Sequence, residues 1–451
     1  MTIILQVYGG LPLLKVSFTY WLWSLPIYLL TSSNLKPPNN SIFVRNRQHY
    51  MIPFSPPRID QKTIDEVTDS LKSGWISTGP KTKKFEENLA QYLGTDHVVA
   101  LGSATAGLQL ILHWLGIGEG DEVIIPAYTY TATANVVIHT GATPIMVDVN
   151  SIDFNINCEA VKNAITEKTK LIIPVDIAGM PADYEELFNI IEEKKELFSA
   201  KNDVQKKFGR IVLVADSAHS IGATYKGKKA GLVADMSSFS FHAVKNLTTA
   251  EGGAVVFNVA DKFNHEELKR RFKISSLHGQ TKDALSKVQI GAWRYDVIEA
   301  GFKCNMTDLQ AAIGLVELER YAETLNRRKE IFDRYTAGLA KYSWANTPIY
   351  ETEEKKSSFH LYMLRINNCS EVQRDTIINK IGEKQVAVNV HYIPLPMLSF
   401  YKGKGYDIND YPTTFDNYHN EITLPVWFNL TNEQVETVIK AVVDSVQEVL
   451  W

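Results

Sequence analysis

Between residues 97 and 258 the chain carries seven short apolar runs: HVVAL (97–101), EVIIP (122–126), TPIMVDV (143–149), KLIIPVD (170–176), IVLVADS (211–217), SFSFH (238–242) and AVVFN (254–258). Most are continuous rather than alternating. A strand open to water on one face alternates polar and apolar residues, so unbroken valine and isoleucine runs mark strands covered on both faces. Helical patterns, such as 105–114 and 184–197, lie between several of the runs. The alternation predicts an α/β fold whose large domain holds a mostly parallel seven-stranded sheet flanked by helices. In such a sheet a ligand site lies beyond the carboxyl ends of the strands.

After Asn305 the pattern changes. Thr307 and Gln310 have capping-box spacing and open a long helical stretch, LQAAIGLVELERYAETLNRRKEIFDRYTAGL. A helix near 371–381, the apolar VAVNVHYIPLP (386–396) and a final helix over 432–449 complete a smaller α+β unit. A chain of 451 residues with 45% apolar content can build two or three domains. The expected division is an N-terminal extension at 1–50, a large domain at 51–304 and a small C-terminal domain at 305–451.

Lysine and arginine number 47 against 51 acidic residues, a net charge of −4 that leaves no basic excess to meet nucleic acid. Cys158, Cys304 and Cys369 lie far apart without CxxC spacing, which fits a reducing compartment better than a disulfide framework or a zinc knuckle. The segment 11–30, LPLLKVSFTYWLWSLPIYLL, is about long enough to cross a bilayer, yet it contains Lys15 and is interrupted by Pro12 and Pro26. It reads either as a signal anchor or as an upstream extension of a frame that starts at Met51, and the second reading is preferred. With an anchor, Lys36, Arg45 and Arg47 would hold the downstream body in the cytoplasm. Both readings place the body there, with membrane contact only through 11–30.

Four features fall at strand ends. GSATAG (102–107) joins a strand to an apolar helix; its small residues leave the first helical N–H groups open to a phosphate, although a plain turn capped by Ser103 or Thr105 gives the same pattern. PAYTYTATAN (126–135) offers tyrosines that could stack on a planar ring or simply pack. VADSAH (214–219) ends a strongly apolar strand on Asp216, a carboxylate that needs a cationic or hydrogen-bonding partner; with no metal-ligand spacing in the chain, a protonated ring nitrogen would serve. Lys245 stands between SFSFH and a Gly-Gly turn, where its amine could anchor an aldehyde as a Schiff base. A phosphate, a flat ring, a protonated ring nitrogen and an aldehyde describe pyridoxal phosphate, and no metal is expected.

With these residues in hand the chain resembles the DegT/DnrJ/EryC1/StrS family of nucleotide-sugar aminotransferases, pyridoxal-phosphate enzymes of fold type I. The resemblance runs from about Ile52 to the C-terminus through GWISTGP, GSATAG, DEVIIPAYTYTATAN, ATPIMVDV, VADSAHSIGA, FSFHAVKNLTTAEGG, FKCNMTDLQAAIG and LPVWFNLT. It implies that Lys245 holds the cofactor, that Asp216 pairs with the pyridine nitrogen and that Tyr130 stacks where relatives carry phenylalanine or tryptophan. Ala104, Thr105 and Ser240 would hold the phosphate, and Asn305 would reach the phosphate of the neighbouring subunit, placing the site across a homodimer interface. His219 would lie near the phenolic oxygen or the substrate, and Thr78 and His391 on the sugar side. Ser217 and Cys304 depart from the usual alanine and aromatic residue.

The implied reaction moves an amino group from an amino acid, expected to be L-glutamate, to a nucleotide-linked keto sugar, expected to be a 4-keto-6-deoxy hexose used in cell-surface polysaccharide. Two other readings stay open at this point: a sugar dehydratase on the same scaffold, and a non-catalytic, membrane-tethered sugar-binding protein. Some relatives that remove a hydroxyl carry histidine in place of the lysine, so Lys245 argues for amine transfer.

Overall fold

The computed structural model describes residues 51–95, 97–282 and 293–451. The candidate span at 11–30 lies outside the described residues. Among the described residues no helix is long and apolar enough to cross a membrane.

Each of the seven apolar runs contributes a strand: β1 Val98–Leu101, β2 Glu122–Pro126, β3 Thr143–Val147, β4 Thr169–Ile172, β5 Val212–Asp216, β6 Met236–Ser240 and β7 Gly253–Phe257. They form one sheet in the order β1-β7-β6-β5-β4-β2-β3. Five of the strands (β2 to β6) run parallel through their pairings, whereas β7 lies antiparallel to both β1 and β6. The reversal follows from the connection. No helix stands between Ser240 and Gly253, so the chain turns back instead of crossing over. The loop 241–252 that carries Lys245 therefore sits at the same sheet edge as the carboxyl ends of β1, β2, β5 and β6.

Helices Ala104–Leu115 and Tyr184–Glu193 occupy the expected intervals, the second followed by a separate 3₁₀ turn at Lys195–Leu197. The long stretch after Thr307 is two helices, Asp308–Glu319 and Tyr321–Leu339. The break falls at Arg320 (φ −105°, ψ 13°), whose guanidinium is held by Glu317 and Asp60. A break with neither glycine nor proline has no signature in the periodicity. The capping box is present, with Gln310 N–H donating to Thr307 Oγ1 at 3.3 Å and Thr307 N–H donating to Gln310 Oε1 at 2.8 Å.

Helix Pro80–Leu93 has glycine at its N-cap and no side-chain cap of its own. Asp308 supplies one from across the fold. Its buried carboxylate accepts from Gly79 N (2.7 Å), Lys81 N (3.0 Å), Thr82 N (2.9 Å) and Thr82 Oγ1 (2.7 Å). This joins the segment 79–82, at the end of and just after GWISTGP, to FKCNMTDLQ through four hydrogen bonds to one residue.

The sheet is buried on both faces. Leu108, Ile111, Val123, Ile125, Val214 and Val255 belong to one apolar cluster, while Phe85, Leu89, Phe239, Ala254, Ala311 and Leu315 belong to another. A separate core gathers Ile331, Tyr335, Tyr362, Ile377, Val438 and Val442, with Ile52 from the start of the described chain. It surrounds a three-stranded antiparallel sheet, β8 Ala345–Asn346, β9 Tyr362–Ile366 and β10 Glu421–Leu424, in the order β8-β9-β10. VAVNVHYIPLP runs beside β10 without forming a strand, joined by the bridge Asn389↔Thr423.

Candidate active site

At the carboxyl end of β1 the chain enters helix Ala104–Leu115 through Ser103, whose Oγ accepts from Ala106 N at 3.1 Å. Ser103 carbonyl takes the Gly107 N–H, so the N–H groups of Ala104 and Thr105 have no acceptor among the described residues. They point outward from a helix start, where the macrodipole favours an anion. This turn lies directly on β7. A side-chain carbon built on Gly253 would stand 2.4 Å from Ala104 N and 2.4 Å from Ser103 C, so only glycine lets the turn settle there. Gly253 pairs in register with Ser240, and Ser238 Oγ donates to Ala104 O at 2.9 Å. Ala104, Thr105 and Ser240 are thus brought together as one cradle. The Cys304–Asn305 backbone closes its side, with Gly102 N donating to Cys304 O at 2.7 Å.

Asp216 ends β5 with its carboxylate buried. Oδ2 accepts from Thr133 Oγ1 at 2.8 Å and Oδ1 from Ala218 N at 3.2 Å, both neutral donors. Burial pushes its pKa up, opposed by those two donors and by the positive charge of Lys245. Lys245 has no hydrogen bond or ion pair to its side chain among the described residues, and burial lowers its amine from 10.5 to about 8, against the attraction of Asp216. An underpaired carboxylate and an unpaired amine therefore lie close enough to feel each other's charge.

His219 is buried near Lys245. Ala178 N donates to its Nδ1 at 3.2 Å, so that nitrogen presents its lone pair and the proton sits on Nε2, 3.0 Å from Tyr392 Oη. Burial holds the imidazole neutral, with its pKa well below the usual value, and the charge on Lys245 acts in the same direction. Tyr392 also lies 5.7 Å, centroid to centroid, from Tyr130. Tyr130 is 59% exposed, so its ring is available as a platform rather than spent on core packing. Tyr128, by contrast, is fully buried and donates to His391 O at 2.7 Å, which makes it the packing tyrosine of the pair.

His391 stacks on Phe54 (5.4 Å, 23°), and its Nδ1 lies 3.0 Å from Thr423 Oγ1. Burial lowers its pKa from 6.5 to about 4, with Lys245 adding to the shift. Thr78 and Asn305 bond to each other, Thr78 Oγ1 donates to Met306 O, and Lys303 Nζ donates to Asn305 Oδ1. The structure thus gathers Lys245, Asp216, His219 and His391 within reach of one another's charge, with Tyr130 joined to them through Tyr392. Thr78 and Asn305 stand together at the cradle's side.

Sequence reading missed Tyr392, Thr133 and the buried Glu421 beneath His391. Tyr392 and Thr133 sit inside quoted segments, but their partners lie 173 and 83 residues away, which no local pattern reports.

The residues fit pyridoxal phosphate. The two open N–H groups and Ser240 suit a phosphate, Tyr130 a ring face, Asp216 a protonated ring nitrogen and Lys245 an aldehyde.

Comparison with known proteins agrees. The sequence pattern of the DegT/DnrJ/EryC1/StrS aminotransferase family matches residues 57–443. The spore coat polysaccharide biosynthesis protein SpsC of Bacillus subtilis is 36% identical over 408 residues, covering 90% of this chain and 99% of its own. Among solved structures, Spr1654 of Streptococcus pneumoniae, described as a sugar aminotransferase and solved in its PMP form, is 49% identical with a TM-score of 0.86, over 88% of this chain and 100% of that one. PseC of Helicobacter pylori, an aminotransferase involved in pseudoaminic acid biosynthesis, is 27% identical with a TM-score of 0.76, over 88% and 100% of the two chains. The chain belongs to the DegT/DnrJ/EryC1/StrS aminotransferase family.

Proposed function

We propose that this chain is a pyridoxal-phosphate-dependent sugar aminotransferase that moves an amino group from L-glutamate to a nucleotide-linked 4-keto-6-deoxy hexose. The observation that carries the reading is the unpaired Lys245 amine facing the buried, underpaired Asp216 carboxylate. Family membership supports it, as do SpsC, a spore coat polysaccharide biosynthesis protein, and PseC, a pseudoaminic acid enzyme. Cell-surface polysaccharide is the proposed destination and the cytoplasm the proposed compartment. We assign 51–304 to the large domain and 305–451 to the small one, with helix Asp308–Glu319 packed against both the first and the second helices of the large domain.

Pyridoxal phosphate supplies an aldehyde that accepts an amine and a protonated ring that withdraws electrons from the adjacent carbon. Asp216 keeps the proton on the ring nitrogen. With the cofactor in place, Lys245 Nζ would act as the base that takes the proton from the donor's α-carbon and would return it to the cofactor carbon that bears the amine. After the 2-oxo acid leaves, the keto sugar enters and Lys245 moves the proton in the reverse sense. Tyr130 orients the ring by stacking, and Ala104, Thr105 and Ser240 fix the phosphate end. Thr78 and His391 face the sugar, and Asn305 reaches the phosphate of a second copy in a homodimer.

Borohydride reduction of the holoenzyme, followed by digestion and mass mapping, is expected to place the label on the peptide that contains Lys245. Lys245→Ala is expected to abolish turnover. Glutamate supplied with UDP-linked and dTDP-linked 4-keto-6-deoxy sugars is expected to yield 2-oxoglutarate and an amino sugar. A label on another lysine, or normal turnover without Lys245, refutes the assignment.

A further inference from the structure

Beneath His391 lies a chain of hydrogen bonds that the transfer reaction does not itself require. Glu421 opens β10 with no exposed surface. Its Oε2 accepts from His391 N at 3.0 Å, and its Oε1 accepts from Thr423 Oγ1 at 2.5 Å. Thr423 Oγ1 in turn lies 3.0 Å from His391 Nδ1. His391 Nε2 has no partner among the described residues and is not sealed from solvent.

The polarity of this chain is set by counting protons. An ionised carboxylate can only accept, so Thr423 spends its single hydroxyl proton on Glu421. Toward His391 the threonine oxygen can then only accept, which requires the proton on Nδ1. A neutral imidazole has one proton, so Nε2 is left as a bare lone pair open to solvent. When Glu421 takes up a proton on Oε1, the direction reverses. Glu421 donates to Thr423, Thr423 donates to Nδ1, and the imidazole proton moves through solvent to Nε2.

We propose that Glu421, acting through Thr423, is the positioning residue that decides which ring nitrogen of His391 carries the proton, and so presents Nε2 to a substrate hydroxyl as an acceptor while the carboxylate is ionised. The inference rests on the reading above that His391 faces the sugar.

The surroundings of Glu421 place the reversal in an accessible range. Arg365 is its cross-strand partner, and Arg374 Nη1 donates to its backbone carbonyl at 3.1 Å, yet neither guanidinium reaches its carboxylate. The hydroxyls of Tyr128 and Tyr392 also lie within reach of its charge. Burial raises Glu421 from 4.5 to about 8, opposed by Thr423, His391 N–H and the two arginines. His391 itself stays neutral throughout, because its own pKa is lowered to about 4.

Neutron diffraction from deuterium-exchanged holoenzyme crystals, held well above and well below about pH 8, reads the tautomer directly. The wild type is expected to carry deuterium on His391 Nδ1 at the higher pH and on Nε2 at the lower. In Glu421→Gln the carbonyl must take the His391 N–H, so the amide donates to Thr423; this variant is expected to carry deuterium on Nε2 at both. Thr423→Val breaks the chain and is expected to remove the pH dependence. Deuterium on the same nitrogen in the wild type at both pH values and in Glu421→Gln overturns the relay. In steady state well above about pH 8, where the wild-type carboxylate is ionised, Glu421→Gln is expected to raise KM for a UDP-linked 4-keto-6-deoxy sugar about fivefold with kcat unchanged, the loss of one hydrogen bond, whereas well below that pH the two enzymes are expected to share one KM. A tautomer that switches while KM stays constant leaves the relay standing and refutes the sugar contact.

Discussion

Lys245 shows how burial prepares a side chain for chemistry. Its amine falls from 10.5 to about 8, so a sizeable fraction is neutral and nucleophilic near physiological pH. Only the neutral form attacks an aldehyde. The rate at which apoenzyme regains its visible band on adding pyridoxal phosphate is therefore expected to rise with pH through a midpoint near 8; a midpoint near 10.5 would contradict it. The linkage sign is the same: the folded apoenzyme disfavours the ammonium, so it gains stability as pH rises from about 8 toward 10.5. Thr133 is the second test at this scale. Its hydroxyl donates to Asp216 Oδ2 at 2.8 Å, so Thr133→Val leaves the carboxylate with one backbone donor. Cofactor affinity, followed by equilibrium dialysis, is expected to weaken about fivefold, one hydrogen bond's worth. Lys245 and Asp216 could be picked out from sequence because each is a costly residue after an apolar run. Thr133, Tyr392 and Glu421 could not, because a threonine, a tyrosine or a glutamate acquires its role only from a distant partner.

Among the elements, two contacts hold the site's framework. Gly253 lets the Ser103–Ala104 turn lie on β7, and a methyl there would meet backbone at 2.4 Å. Gly253→Ala is expected to displace the turn, costing about 1–3 kcal/mol of stability and releasing the cofactor on gel filtration; retained colour and melting temperature would argue against the cradle. Asp308 caps helix Pro80–Leu93 from another part of the chain. Asp308→Ala is expected to lower stability by about 3 kcal/mol in denaturant titration, since several buried donors lose their acceptor at once. The strand positions were legible because unbroken apolar runs leave few alternatives. The direction of β7 was not, because direction depends on what the connection contains rather than on the strand. The split at Arg320 escaped for a related reason: the periodicity of two consecutive helices hardly differs from that of one.

For the whole molecule, the proposed homodimer makes a prediction about which chain Asn305 serves. Asn305 stands beside its own chain's Ser103–Ala104 turn, bonded to Thr78 and Lys303, while the role proposed for it lies at a neighbour's phosphate. Mixing separates the two. If Asn305 serves the partner, a heterodimer of Lys245→Ala and Asn305→Ala chains has one site with both defects and one with neither. Coexpression is then expected to restore about half the wild-type activity per heterodimer, although each variant alone is impaired. No recovery would place Asn305 in its own subunit's site. The α/β architecture was evident from strand and helix alternation alone, whereas no feature of a single sequence specifies which surface meets a second copy.

The place of β7 between β1 and β6 also has a meaning during synthesis. The turn proposed to hold the phosphate follows β1 and the serine proposed to complete it ends β6, but the strand separating and supporting them is made last. A ribosome that has not yet released Phe257 holds a chain with both walls of the cradle and no floor. Vitamin B6 captured by nascent chains stalled at increasing lengths should therefore appear abruptly once that strand has emerged, rather than accumulate as each binding residue leaves the exit tunnel.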